Sequence, residues 1–175
     1  MNTLKISITK GDKSDTVAVA SEDRSVSTFQ FPKKGPIPHD AVHYFVECAL
    51  GMTRGFWGTV ASGVAPEAVQ DMAKQGGHAS AKRASTPDGA IVELLQAERI
   101  VECFEADFWG APASAETFRA VVEAACASSF VPAPALSDEQ IMRIREAIAD
   151  FAKAWAAAPA GRRFDFTYPA ERARF

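Results

Sequence analysis

Three prolines within seven residues, Pro32, Pro36 and Pro38, divide this chain into two parts with different hydrophobic rhythms. Proline fixes its own φ, lacks a backbone donor and pushes the preceding residue toward extended backbone, so no strand ladder or helix runs through such a cluster. Before it, apolar residues recur at every second position: Leu4, Ile6 and Ile8, then Val17 and Val19, then Phe29 and Phe31. This is the period of half-buried strands. Gly11-Asp12-Lys13-Ser14 and Ser21-Glu22-Asp23-Arg24 supply turn chemistry between them. Connections this short favour antiparallel neighbours, so residues 1–32 predict a three-stranded β-meander with one face wet.

After the prolines the period becomes helical. His39 to Met52 reads as a helix, apolar around most of its circumference, and Gly55-Phe56-Trp57-Gly58 as a break whose aromatics join the core. Pro66 to Gln75 reads as a short helix with proline in its first turn and Gly76-Gly77 at its end. Residues 76–89 read as a surface loop containing Gly76-Gly77-His78 and Lys82-Arg83, without the pattern of a phosphate-binding loop. Three helices follow. Ala90 to Trp109 carries Leu94, Ala97, Val101, Phe104 and Phe108 at helical spacing, and Ser114 to Ser128 carries Phe118, Val121, Val122 and Ala125 inward. Ser137 and Gln140 form a capping box for a helix whose core stripe is Ile141, Ile144, Ile148, Phe151 and Trp155. Finally Phe164, Phe166 and Tyr168 alternate with polar residues. A strand there needs a partner, most simply an edge of the meander. The expected class is α+β, a single domain over 1–175 with the meander at 1–32, four to five helices within 38–158, and a C-terminal strand at 162–169.

Composition removes several function classes. A net charge of −3 with no basic segment interleaved with aromatics argues against nucleic acid. No uncharged run reaches the ~18 apolar residues of a membrane span, and Met1 to Lys10 alternates instead of forming a leader's apolar region. Cys48, Cys103 and Cys126 are odd in number and sit in apolar helical contexts, as buried thiols of a reducing compartment do. A cytoplasmic location is expected.

The densest polar cluster lies at the start of the first helix. His39, His43 and Glu47 are successive i, i+4 neighbours, and Asp40 lies three residues before His43. Imidazoles one turn apart converge well enough to share a divalent metal. The pattern lacks the glutamate beside the first histidine that marks H-E-x-x-H metalloproteases, and three turns is too long a stripe for one ion. The same stripe also suits a helix face turned to water, a packed polar cluster with Asp40 favoured by the helix dipole, or a ligand pocket. Glu98, Glu102 and Glu105 lie on one face of the 90–109 helix; as Glu-x-x-His is absent, they read as a solvated face partly neutralised by Arg99.

Pro38-His39-Asp40, His43-Tyr44, Val46-Glu47 and Gly55-Phe56-Trp57-Gly58 resemble a small family of uncharacterised bacterial proteins that begin with short strands and end with a short strand after the last helix. The resemblance covers about residues 30–65 and implies a shared fold and a bacterial cytoplasmic setting, with no activity attached.

Two functional expectations follow. The first is a non-catalytic protein binding a small ligand or partner between the 39–51 helix and residues 54–58, through His39, Asp40, His43, Glu47, Arg54 and Trp57. The second is a metal-dependent hydrolase using His39 and His43, with Asp40, Glu47 or His78 completing the shell. Self-association through exposed aromatics is a third possibility.

Overall fold

A computed structural model describes residues 3–22, 24–77 and 87–169. His78 and most of the expected 76–89 loop lie outside the described residues. The meander forms as the alternation predicts: β1 (Thr3–Thr9), β2 (Ser14–Ser21) and β3 (Arg24–Pro32) pair in sequence, all antiparallel. The C-terminal strand β4 (Arg163–Pro169) adds to the free edge of β1, giving the order β3-β2-β1-β4.

Register puts the apolar positions in transverse rows. Ile6 lies between Val19 and Phe166, Ile8 between Val17 and Phe164, and Leu4 faces Tyr168. Because side chains alternate across a strand, all of these point to one face, where Leu4, Ile6, Ile8, Val17 and Tyr168 are buried. The opposite face is mostly polar; on it Ser7 donates to Asp165 at 2.7 Å. Lys10, at the end of β1, donates to the carbonyls of Trp155 and Ala158, both at 2.7 Å. A cation thereby satisfies orphan carbonyls at a helix C-terminus and ties the last helix to the end of β1.

The described residues form six helices: α1 (His39–Leu50), α2 (Phe56–Ala61), α3 (Pro66–Gly77), α4 (Val92–Trp109), α5 (Ala115–Ser128) and α6 (Asp138–Ala157). Of these, α1, α2 and α6 meet the sheet, and α5 packs on α4. The capping box forms, with Gln140 N–H on Ser137 Oγ and Ser137 N–H on the Gln140 side chain, and the whole Ile141 to Trp155 stripe is buried. Two expectations need correction. Gly55–Gly58 is not only a break, because Phe56–Ala61 forms a short helix whose aromatics are indeed in the core. On α5, Val121 is half exposed, and Phe118, Val122 and Cys126 make the buried stripe instead; the contact face is one i, i+4, i+8 line.

α1 is the hub. It packs against α4 and α6, and Phe45 meets Phe151 and Phe166 at ring-centroid distances of 5.6 and 6.0 Å. Gly51, at φ 75°, stops the helix in the left-handed conformation and donates to the Glu47 carbonyl. No described helix is long and apolar enough to cross a membrane. Cys48, Cys103 and Cys126 form no disulfide; Cys103 and Cys126 are buried and Cys48 half-buried.

Candidate metal centre

The polar stripe of α1 faces protein, not water. Asp40, His43 and Glu47 are buried, His43 at 1% and Glu47 at 0% exposure, while the His39 side chain keeps about a third of its surface. What it faces is α4. Glu98 and Glu105, expected on a solvated face, are turned toward the two imidazoles and are largely covered. Only Glu102 stays at the rim, paired with Arg99 at 2.8 Å. The correction has a simple cause: Glu98 and Glu105 are two turns apart and flank the Leu94–Ala97–Val101–Phe104 stripe that packs α4 onto the core. An acid at the margin of a packing stripe stays near the surface unless the facing helix offers a cation, and α1 offers two.

Each imidazole is held at its far nitrogen by its own carboxylate. His39 Nδ1 lies 2.9 Å from Glu105 Oε1, and His43 Nδ1 lies 3.0 Å from Glu47 Oε1. In neutral rings these contacts make Nδ1–H the donor and leave the Nε2 lone pairs on the inner side. There the two Nε2 atoms approach to 3.1 Å, and Glu98 oxygens lie 3.5 Å from His43 Nε2 and 3.6 Å from His39 Nε2. His39, His43 and Glu98 are the one group of this kind among the described residues, their ligand atoms all within 4.8 Å of one another.

Distances decide what such a triangle can hold. Donors about 2.0–2.1 Å from a tetrahedral zinc ion stand roughly 3.3–3.4 Å apart. The Nε2–Nε2 distance of 3.1 Å and the Glu98 approaches of 3.5 Å (Oε1 to His43) and 3.6 Å (Oε2 to His39) bracket that value, the two Glu98 contacts being made by different oxygens of one carboxylate. The carboxylate on each Nδ1 is the partner that fixes tautomer and ring orientation in histidine metal ligands. Two inward lone pairs and a carboxylate also repel one another unless positive charge sits between them.

Without an ion, protons must supply that charge. Burial alone would strip His39 of its proton, but hydrogen bonds to Glu105 and Glu98 outweigh it and push the pKa up to about 9. Burial acts against the charged form of His43 too, and the charge of Glu98 with the hydrogen bond to Glu47 raises it well above its usual value. Glu98 moves the other way: despite burial, the His43 charge and hydrogen bonds from both rings hold it far below the ordinary carboxylate range. Burial raises Asp40 and Glu47.

Glu47 is a support, not a ligand. Its Oε2 accepts the backbone N–H of Trp57 at 3.0 Å and of Gly58 at 3.3 Å, and the Tyr168 hydroxyl at 3.4 Å. Tyr168 also donates to the Met52 carbonyl. Gly55 makes this approach possible, since a Cβ there would stand 2.5 Å from Glu47 Cδ. Trp57 belongs to the core and donates Nε1–H to the Asp40 carbonyl at 2.9 Å. Arg54 is exposed, its guanidinium on the Ala90 carbonyl. Asp40 lines a cavity of about 50 Å³ together with His39. Of the residues singled out in the sequence, the structure therefore brings His39 and His43 together, supports them with Glu47, leaves Arg54 outside, and adds Glu98 and Glu105.

Comparison of the chain with family models, with curated proteins and with solved structures gives no match. The likeness carried by residues 30–65 has no support beyond those residues, and any functional argument rests on the geometry.

Proposed function

We propose that the chain is a metal-dependent hydrolase that holds one divalent ion, zinc in the first instance, on His39 Nε2, His43 Nε2 and Glu98. The observation that carries this reading is the convergence of two imidazole nitrogens and a carboxylate, with each ring's other nitrogen already held by a separate acid, the buried Glu47 and the largely covered Glu105. Three protein donors are the number used at catalytic zinc sites, where structural sites close the shell with four. A bound ion supplies Lewis acidity and brings coordinated water to a pKa of about 7. The protein's own part is to orient the rings through Glu105 and Glu47, to keep the inner side dry behind His43, and to leave access beside His39.

The test is elemental analysis of protein purified without chelators. Close to one ion per chain is expected, lost in His39→Ala and in Glu98→Gln while both variants still unfold cooperatively. Metal far below one per chain, unaffected by His43→Ala, together with no uptake of added zinc or cobalt, refutes it. Iron in place of zinc would shift the reading to a ferrous oxygenase, which uses the same donor set. A second reading, a binding protein without catalysis, draws on the cavities beside His39; turnover of activated esters by the zinc-loaded chain separates the two.

A further inference from the structure

We infer that the substrate is a small aromatic carboxylate, or carries one, received beside His39 by Lys34 and Trp109. This rests on the metal reading for its catalytic meaning but on separate residues for its evidence. The backbone from Lys33 to Pro38 forms a strap between two cavities that both reach His39: the 50 Å³ one on the Asp40 side and another of about 240 Å³ on the Trp109 side. The second is smaller than the roughly 300–1,000 Å³ of sites for drug-sized ligands, so it suits a compact molecule.

Trp109 is 53% exposed, the only tryptophan among the exposed large hydrophobic residues, and it lies at this mouth. Gly35 packs against its ring, so closely that a Cβ would come within 2.8 Å of Trp109 Cζ2. A large indole held by the strap, with a face left to solvent at the edge of a polar centre, is a platform for a flat apolar body. Charge accounts for the other half. The acids lining this mouth have partners, Glu105 on His39 and Glu102 on Arg99, and across the strap Lys33 is taken by Asp15 at 3.3 Å. Lys34 lines both cavities and has no ionic partner among the described residues. One uncommitted cation matches a monoanion, hence a carboxylate and not a phosphate dianion. An anion at Lys34 lies on the open side of the proposed ion, where His39 is reached from solvent.

The probes are benzoate, benzamide and phenyl phosphate, titrated calorimetrically into cobalt-loaded protein after its metal content has been measured. Benzoate should bind more tightly than neutral benzamide. Lys34→Gln should weaken benzoate about three- to fivefold and leave benzamide unchanged. Trp109→Ala should weaken both about three- to tenfold. Neither variant touches the proposed ligands, so metal content should not change. Benzoate affinity unaltered by both substitutions, or no benzoate binding by metal-bearing protein, overturns the inference. So does Lys34-dependent phenyl phosphate binding tighter than that of benzoate. If the chain takes up no metal, the hydrolase reading fails by itself. The same titrations on metal-free protein then read this inference alone: dependence on Lys34 and Trp109 supports it, and independence overturns it.

Discussion

Metal uptake by this chain should release protons, and the number follows from the site. A ligating imidazole must present a lone pair, yet in the metal-free protein His39 titrates near 9 and His43 well above its ordinary value. The pair therefore carries at least one proton beyond the two neutral rings at pH 7, shared across the 3.1 Å Nε2–Nε2 contact. Glu98 contributes none, because it is already ionised. One to two protons should leave for each ion bound at pH 7, so apparent affinity should rise about ten- to a hundredfold per pH unit and flatten above pH 9. Calorimetry in two buffers of different ionisation enthalpy counts the protons, and competition with a chelator from pH 6 to 9.5 gives the slope. An affinity independent of pH across that interval, with no proton released, would mean that the rings are neutral in the free protein or do not ligate. The reasoning about this centre would then be wrong.

The same shift fixes the pH dependence of the metal-free fold. Since the His39 pKa is raised above its unfolded value of 6.5, its stabilising effect is complete below pH 6.5 and is lost as pH rises through about 9, so the metal-free melting temperature should fall over that interval and zinc should abolish the fall. Gly55→Ala places a methyl against the Glu47 carboxyl and should cost about 1–3 kcal/mol, read as a melting temperature lower by roughly 2–10 °C in a chain of this length. Glu47→Ala strands the Trp57 and Gly58 amides and one side of His43, and should cost about 3–5 kcal/mol in urea unfolding with metal binding weakened as well. Tyr168→Phe removes a buried donor from the Met52 carbonyl, at about 1–3 kcal/mol by the same assay, without altering metal content.

Much of the fold was legible because it is written in local periods. Leu4, Ile6 and Ile8 announce a strand by alternation, and Phe164, Phe166 and Tyr168 announce another that has to find an edge. Ser137 and Gln140 mark a helix start by their spacing alone. The short helix at Phe56–Ala61 was hidden because its flanking glycines signal interruption, and because what organises its first turn is the Glu47 carboxylate, nine residues before Phe56. Half of the centre was legible in the same local sense: His39 and His43 are one turn apart whatever the rest of the chain does. Glu98 and Glu105 were not. On a single helix, an acid facing water and an acid facing a neighbour's histidine have identical patterns, and only tertiary contact tells them apart. One signal was present all the same: two acids two turns apart on α4, matched in number to the two histidines of α1.

That pairing also bears on why buried charge is tolerated here. Asp40, His43 and Glu47 are withdrawn from water in a helix that could have been apolar throughout, and desolvation of each is expensive. Stability alone does not explain the arrangement, since well-packed apolar side chains of similar volume would serve the core at least as well. Nor does a purely structural ion, because among the described residues the donor set holds three members and the most exposed of them, His39, opens onto two cavities. A closed site would place its most accessible ligand under cover. The order observed here is the reverse: support deepest at Glu47, ligands above it, and the least buried imidazole beside the lysine and the tryptophan. Burial increases away from the side where a substrate would arrive, as a centre needs if it must hold its ligands rigid and still meet another molecule.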